Sequence, residues 1–339
     1  MAFDPLHPGI TDALRAWSVQ LDAGMALAPS LKLSGTTCGD PAAARLFEEA
    51  SRRAESGAPI EALLEALAPA LSEGERATLR AGWNSGRAGE MFKAVLEQRE
   101  LWHRSRQRMR SRMVLPAAIL VLASFVAPIP ALALGGLSVG GYLAVALLPL
   151  ALGVALWLVV SSLLRARALE RRAGGPDGPA PPSPLDRLLL SVPILKSVER
   201  QRNLSEFAFL LANLASAGVL LSEALETCAR AVPNGLYREA VFGLIRHVRA
   251  GEPLGAGLRD TELWPPEFVA AVKTGEETGK LDEVLAQLGR QARERYAAAV
   301  ETFAEWLPRV AYALVALFMI GGIFAGAAQL IALYTSQMQ

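Results

Sequence analysis

Residues 274–285 read TGEETGKLDEVL, and the GEETGK at their centre has the outline of a phosphate-binding loop. The chemistry does not follow. Such a loop needs a glycine five positions before the GK glycine and a Ser or Thr after the lysine, because its turn aims backbone N–H groups at phosphate while the hydroxyl holds magnesium. Thr274 and Leu281 occupy those positions. The preceding PPEFVAAVK carries apolar residues at helical spacing and offers no β-branched strand to aim a loop. The stretch reads instead as a helix end: glycine favours the left-handed conformation there, and Leu281 opens a further helix.

Working outward, the same glycine punctuation occurs twice. LDAGMALAPSL (21–31), RAESGAPIEALL (53–64) and AGWNSGRAGEMF (81–92) are followed by LASAGVLLSEAL (214–225), HVRAGEPLGAGL (247–258) and TGEETGKLDEVL. Gly24 to Gly218 and Gly57 to Gly251 are offsets of 194; Gly82 to Gly275 and Gly86 to Gly279 are offsets of 193. Register kept this closely indicates duplication of one helical domain. In the second copy Leu204, Phe207, Leu211 and Leu214 recur at three- and four-residue steps, giving one apolar face. About six helices are expected per copy, with structural turns at Gly24, Gly57, Gly218, Gly251, Pro253, Gly275 and Gly279. Pro308 marks a possible kink in the last helix.

Between and after the copies lie long apolar runs. Positions 113–164 contain no Asp, Glu, Lys or Arg, and neither do 310–339. A bilayer core takes about 20 apolar residues per helix, so the first run accommodates two spans and the second one. Arginines flank the first pair at 99–112 and at 165–172, which sets both flanks on the cytoplasmic side. The expected class is all-α, an integral membrane protein with three transmembrane helices and two homologous cytoplasmic helical bundles. Its parts are a first cytoplasmic domain (1–112), a two-span hairpin (113–164), a basic, Pro- and Gly-rich linker (165–190), a second domain (191–309), and a third span with a short far-side tail (310–339). The N-terminus carries Asp4 and Asp12 and no apolar signal-peptide core, so insertion is expected through the internal spans.

Chemistry-bearing patterns are sparse. A net charge of +1 gives no footprint for nucleic acid, and membrane lipid and topology account for the arginine run. Cys38 and Cys228 lack CxxC spacing and read as small reduced core residues. His7, His103 and His247 are scattered, and no GxSxG is present, so neither catalysis nor a metal or other cofactor is expected. A solute transporter needs polar groups within the bilayer, and the spans offer only Ser124, Ser161, Ser162 and Gln329. Gly322 and Gly326 form a GxxxG suited to close packing of membrane helices, within one chain or between copies. Glu276, Glu277, Asp282 and Glu283 place four carboxylates in eight residues, which admits a cation, a charge-capped helix start with local ion pairs, or a partner contact.

At these glycines the chain resembles the inner-membrane platform proteins of type II secretion systems and type IV pili, the general secretion F and PilC family. Pro193, Gly218, Leu225, Gly251, Pro253, Gly275, Glu276, Gly279 and Leu281 fall where the family pattern puts them. The first copy matches less well, with Trp83 and Asn84 at the positions of the acidic pair and Ala88 at that of Leu281; Lys196 and Leu220 also depart from common glycine and proline. The resemblance implies a non-enzymatic platform in the bacterial inner membrane, cytoplasmic at its N-terminus and in both domains, periplasmic at its C-terminus. It further implies contact with an assembly ATPase, other platform components and pilin or pseudopilin, self-association, and a partner-contact role for Glu276, Glu277, Lys280 and Asp282. A type II secretion platform is the first reading, a type IV pilus platform the second, and a membrane-tethered scaffold unrelated to pili the rival from another class.

Overall fold

The computed structural model describes residues 8–126 and 181–337, together with part of 128–162. All regular structure among the described residues is helical. The first copy comprises α1 (Pro8–Asp22), α2 (Leu27–Thr36), α3 (Pro41–Glu55), α4 (Ile60–Ala66), α5 (Glu73–Asn84) and the start of α6 (Ala88–Val126). After α7 (Pro184–Ser191), the second comprises α8 (Pro193–Ser216), α9 (Leu221–Ala231), α10 (Gly235–Arg249), α11 (Leu254–Gly257) with a 3-10 turn (Leu258–Asp260), α12 (Pro266–Thr278) and the start of α13 (Leu281–Gln337). Both copies belong to one compact unit, which also takes in α7; 106–170 and 300–339 form a second.

Three boundaries in each copy share one mechanism. Gly24, Gly57 and Gly86, and likewise Gly218, Gly251 and Gly279, have φ between +70° and +79°. At each, two backbone bonds close the preceding helix. In the first pair, Met25 N–H donates to Gln20 O (2.9 Å) and Gly24 N–H to Leu21 O (2.9 Å); Val219 to Leu214 (3.0 Å) and Gly218 to Ala215 (2.9 Å) repeat them. These are Schellman ends, which satisfy carbonyls that a terminating helix leaves bare. The starts are matched too: Asp40 and Asn234, 194 apart, each accept at 2.9 Å from the N–H two residues on and so cap α3 and α10.

Gly82 and Gly275 behave differently from the turn glycines. Both lie inside helices, α5 and α12, without positive φ. A Cβ on Gly275 would stand 3.0 Å from Val284 Cβ and 3.2 Å from Leu281 Cα, and one on Gly82 would collide with Met91, the counterpart of Val284. Their glycine is set by the next helix crossing close overhead, so the helix-ending role expected for Gly275 belongs to Gly279 alone.

Each copy buries its own aromatic cluster. Trp17 packs edge-on against Phe92 (4.8 Å between centroids) and Phe47 (6.5 Å), with Leu31, Leu63 and Leu67 around them. In the second, Trp264 sits between Phe207 (4.8 Å) and Tyr237 (5.4 Å), and the Tyr237 hydroxyl donates to Leu263 O at 2.9 Å. Trp17 corresponds to Leu211 and Phe207 to Ala13, so the aromatic residue sits one turn apart along the two equivalent helices.

One expectation needs adjustment. The linker was expected to reach 190, yet α7 begins at Pro184, where Ser183 and Asp186 form a reciprocal capping box. Asp186 also accepts from Gly235 N–H (3.1 Å), which ties α7 to the start of α10. The last helix, α13, runs from Leu281 to Gln337 and includes Pro308. Residues 163–180, with the arginines expected to flank the second span, lie outside the described residues.

In the second unit the Tyr142 hydroxyl donates to Phe125 O at 2.9 Å, joining the end of α6 to a helical stretch at 139–148. Ser124, Ser161 and Ser162 each return their hydroxyl to a carbonyl three residues back, at 2.8–2.9 Å. Leu317, Ile320, Phe324 and Ile331 lie exposed along one side of α13. Gly322 and Gly326 are within that helix; their surroundings lie outside the described residues. Among the described residues no helix is long and apolar enough to cross a membrane.

Candidate functional site

The acidic turn at 274–285 is built by α12, the Gly279 end and the first turn of α13. Lys280 N–H reaches Gly275 O (2.8 Å) and Gly279 N–H reaches Glu276 O (3.3 Å), which fixes the backbone. The carboxylates then part company. Glu276 turns back on its own domain, accepting from the N–H groups of Leu254 (2.7 Å) and Gly255 (3.1 Å), and so caps α11 from 22 residues away in sequence. Pro253 precedes that helix without offering a side-chain cap, so Glu276 supplies the acceptor the start of α11 needs. Glu277 is exposed and pairs with Lys273 at 3.6 Å; Lys280 pairs with Glu283 at 3.8 Å. Asp282 stands in the first turn of α13, where a negative charge complements the helix. The four do not converge, and among the described residues no group of three or more His, Cys, Asp or Glu is placed to hold a metal ion.

Trp83 stands at the position of Glu276 in the first copy, 37% exposed, so the long-range carboxylate cap is particular to the second. His247, without an assigned role in the sequence, lies beside it. Its Nδ1 meets Glu252 and its Nε2 meets Asp260 Oδ2 at 2.8 Å, so the imidazole bridges the Gly251 turn to the 3-10 turn after α11. The hydrogen bond that its ring donates to Glu252 is the main reason its pKa is raised, with both carboxylate charges adding to it.

The second cluster lies where the copies meet, and the sequence reading missed it. The α8–α9 side of the second copy rests on the α5–α6 side of the first. Gln98 Nε2 donates to Glu206 Oε2 at 2.8 Å, Arg87 Nη1 donates to Ser216 O at 2.5 Å, Arg230 Nε pairs with Glu73 at 2.7 Å, and Gly74 lets Leu210 approach so closely that a Cβ would stand 2.9 Å from it. Beneath them Arg99, 2% exposed, forks onto Glu75 (2.5 and 2.7 Å) and donates to Ala70 O (2.7 Å), while Glu75 also closes a capping box with Ser72. Arg99 was counted with the basic membrane flank; burial and a bidentate partner make it a residue of the fold instead.

Glu206 is the unusual member. Loss of water, with the Glu75 carboxylate close by, pushes its carboxyl up to about 7; Arg202, the Gln98 amide and Arg293 pull the other way. Arg293 in turn lies over the Phe209 ring at 5.1 Å. Two signals were present in the sequence: an acid one turn before the apolar Phe209 and Leu210 on the same side of the helix, and the Ser72-x-x-Glu75 capping pattern.

Helices repeated at a fixed offset, joined through a polar junction, define a duplicated all-α repeat protein. The comparisons identify which one. A family model described as "Type II secretion system (T2SS), protein F" matches residues 13–135 and 207–327, two segments whose starts are 194 apart, and the chain belongs to that family. It is 28% identical over 245 residues to the type II secretion system protein F of Pseudomonas aeruginosa, covering 66% of this chain and 58% of that protein. It is 22% identical over 329 residues to the type IV pilus assembly protein PilC of the same organism, covering 91% and 85%. PilC of Thermus thermophilus is 32% identical over 105 residues, 31% of this chain and 26% of that protein. The chain thus spans little more than half of the first relative and most of the second.

Proposed function

We propose that this chain is a non-enzymatic platform protein of a bacterial type II secretion system, held in the inner membrane by three helical spans and coupling a cytoplasmic assembly ATPase to growth of a pseudopilin fibre. The observation that carries the reading is the double family match, once on each helical copy. Supporting it are the charge-free runs at 113–164 and 310–339, the apolar residues exposed along α13, and hydroxyls at Ser124, Ser161 and Ser162 that are spent on carbonyls of their own helices. In this reading both helical copies, and the N-terminus, face the cytoplasm, the C-terminus faces the periplasm, and lipid covers the spans. Partners are the ATPase, other inner-membrane platform components, and pilin-like subunits. Glu277, Lys280 and Asp282 supply a charged contact surface beside the Glu276 cap.

A type IV pilus platform is the second reading, favoured by the alignment with PilC, which extends over 91% of the chain. Crosslinking in the native membrane, co-purification of the full chain and mass spectrometry of what accompanies it distinguish the two. A secretion ATPase with pseudopilins supports the first; a pilus ATPase with pilins supports the second. A well-expressed chain that brings neither would leave the family relationship as ancestry and put the membrane-tethered scaffold ahead.

A further inference from the structure

The junction between the two copies is made of unlike surfaces, α8–α9 of one against α5–α6 of the other. Duplication means that each surface exists twice, and among the described residues only one of each is in use. The second α8–α9-type surface is the α1–α2 side of the first copy: Asp12 takes the place of Glu206, Ala16 that of Leu210 and Asp22 that of Ser216. The second α5–α6-type surface is the α12–α13 side of the second copy, with Lys280 in place of Arg87 and Gln291 in place of Gln98.

Both remaining surfaces are outward and keep part of the chemistry of the junction: the Gln98–Glu206 and Arg87 positions stay polar, whereas Arg230 and Glu73 have Thr36 and Pro266 as counterparts, and Leu210 over Gly74 becomes Ala16 and Glu267. Asp12, Asp22, Lys280 and Gln291 are exposed, and Val19 is 62% exposed between the two aspartates. The carboxylate–glutamine pair of Glu206 and Gln98 is preserved as Asp12 and Gln291. Arg87 holds Glu90 (2.6 Å) while donating to Ser216 O, and Lys280 holds Glu283 in the equivalent manner, its ammonium available to the end of α1 just as Arg87 serves the end of α8. There the complementarity improves, because Ser216 is replaced by Asp22. An open cleft of about 420 Å³ lined by Pro8, Thr11, Asp12, Arg15, Glu100 and His103 lies on this face, where Gln98 meets Glu206 in the occupied counterpart.

We propose that the occupant is a second copy of this chain, which lays its α12–α13 face on α1–α2 and so repeats between chains the junction found within each. The contact is heterologous, head to tail, and differs from a twofold dimer in which one patch meets itself. It stands apart from the choice between secretion system and pilus, since it is read without either machine.

The test uses full-length chains in native membrane vesicles, two differently tagged forms carrying Ala23→Cys and Thr278→Cys, exposed neighbours of Asp22 and Lys280 that leave both charges in place, and a short bis-maleimide. Cys38 and Cys228 are buried and their thiols pushed upward, so they stay silent. Linkage between the two forms should exceed linkage of either form to itself several-fold. A chain carrying Glu73→Cys and Arg230→Cys serves as the internal standard of a folded junction. Ala23→Cys linking mainly to itself, or no link between chains while the internal bridge forms in full, would overturn the proposal. Reversing one charge, Lys280→Asp, should lower the apparent assembly size, and combining it with Asp22→Lys should restore it; a double variant that stays small would equally sink it.

Discussion

At the scale of single residues, Glu276 and Glu277 are neighbours with separate duties. Glu276→Ala removes acceptors from two backbone N–H groups at the start of α11 and should cost about 1–2 kcal/mol. Glu277→Lys alters an exposed pair and should move stability by less than about 0.5 kcal/mol. Tryptophan-monitored melting of the purified full chain separates them; assembly lost in Glu277→Lys with an unchanged melt would assign that side chain to a partner. Leu220 offers a gain. It precedes α9 at φ −57°, a position whose counterparts in other turns include Pro59 and Pro253 at −66° and −61°. Leu220→Pro should stabilise by about 0.5–1 kcal/mol, chiefly by restricting the unfolded chain, and the same melt reads it. A lower midpoint would mean that the local backbone rejects the ring. Residue identities at the turns were legible because glycine is demanded by dihedral. The reach of Glu276 was not, since its acceptor role depends on which helix start folding brings beneath it.

At the scale of elements, two kinds of glycine predict two kinds of damage. Gly218 has no heavy atom within 4 Å of a built Cβ, so Gly218→Ala pays only the left-handed backbone cost, about 1 kcal/mol. Gly275→Ala keeps helical dihedrals but drives a methyl into Val284 and the backbone at Leu281, for roughly 1–3 kcal/mol. Denaturant titration distinguishes them through a compensating change: Val284→Ala should recover part of the loss at 275 and none at 218. Helix boundaries were readable to within a residue or two from Gly, Pro and Asn, as at α10 and α12. The exception, α7, was hidden because five prolines in 173–184 outweighed the short capping pattern at their end.

At the scale of the whole molecule, the junction carries a pH dependence. The folded-state pKa of Glu206 is raised to about 7 from 4.5, so the folded chain holds this proton more tightly than the unfolded one. Its contribution is full below pH 4.5 and is lost as pH rises through 7, a few kcal/mol at most. Glu206→Gln keeps shape and hydrogen bonding while removing the charge. It should raise the melting midpoint at pH 8 and leave it nearly unchanged at pH 4.5; an equal shift at both would place the effect in packing. The two-copy organisation was visible in the glycine register alone. The way the copies meet was not, because Gln98 and Glu206 are polar residues that find each other only after docking, and sequence polarity assigns such residues to the surface.

The six Schellman ends fix where helices stop through backbone dihedral and main-chain bonds, which leaves almost every other position free of that task. Trp83 can stand where the other copy has Glu276, and the bulky core aromatic can sit at Trp17 in one copy and at Phe207, the counterpart of Ala13, in the other, while the glycine turns stay in register. Ancestral geometry is thus stored in a handful of glycines, and drift elsewhere can furnish each half with its own partners while both halves keep a common shape.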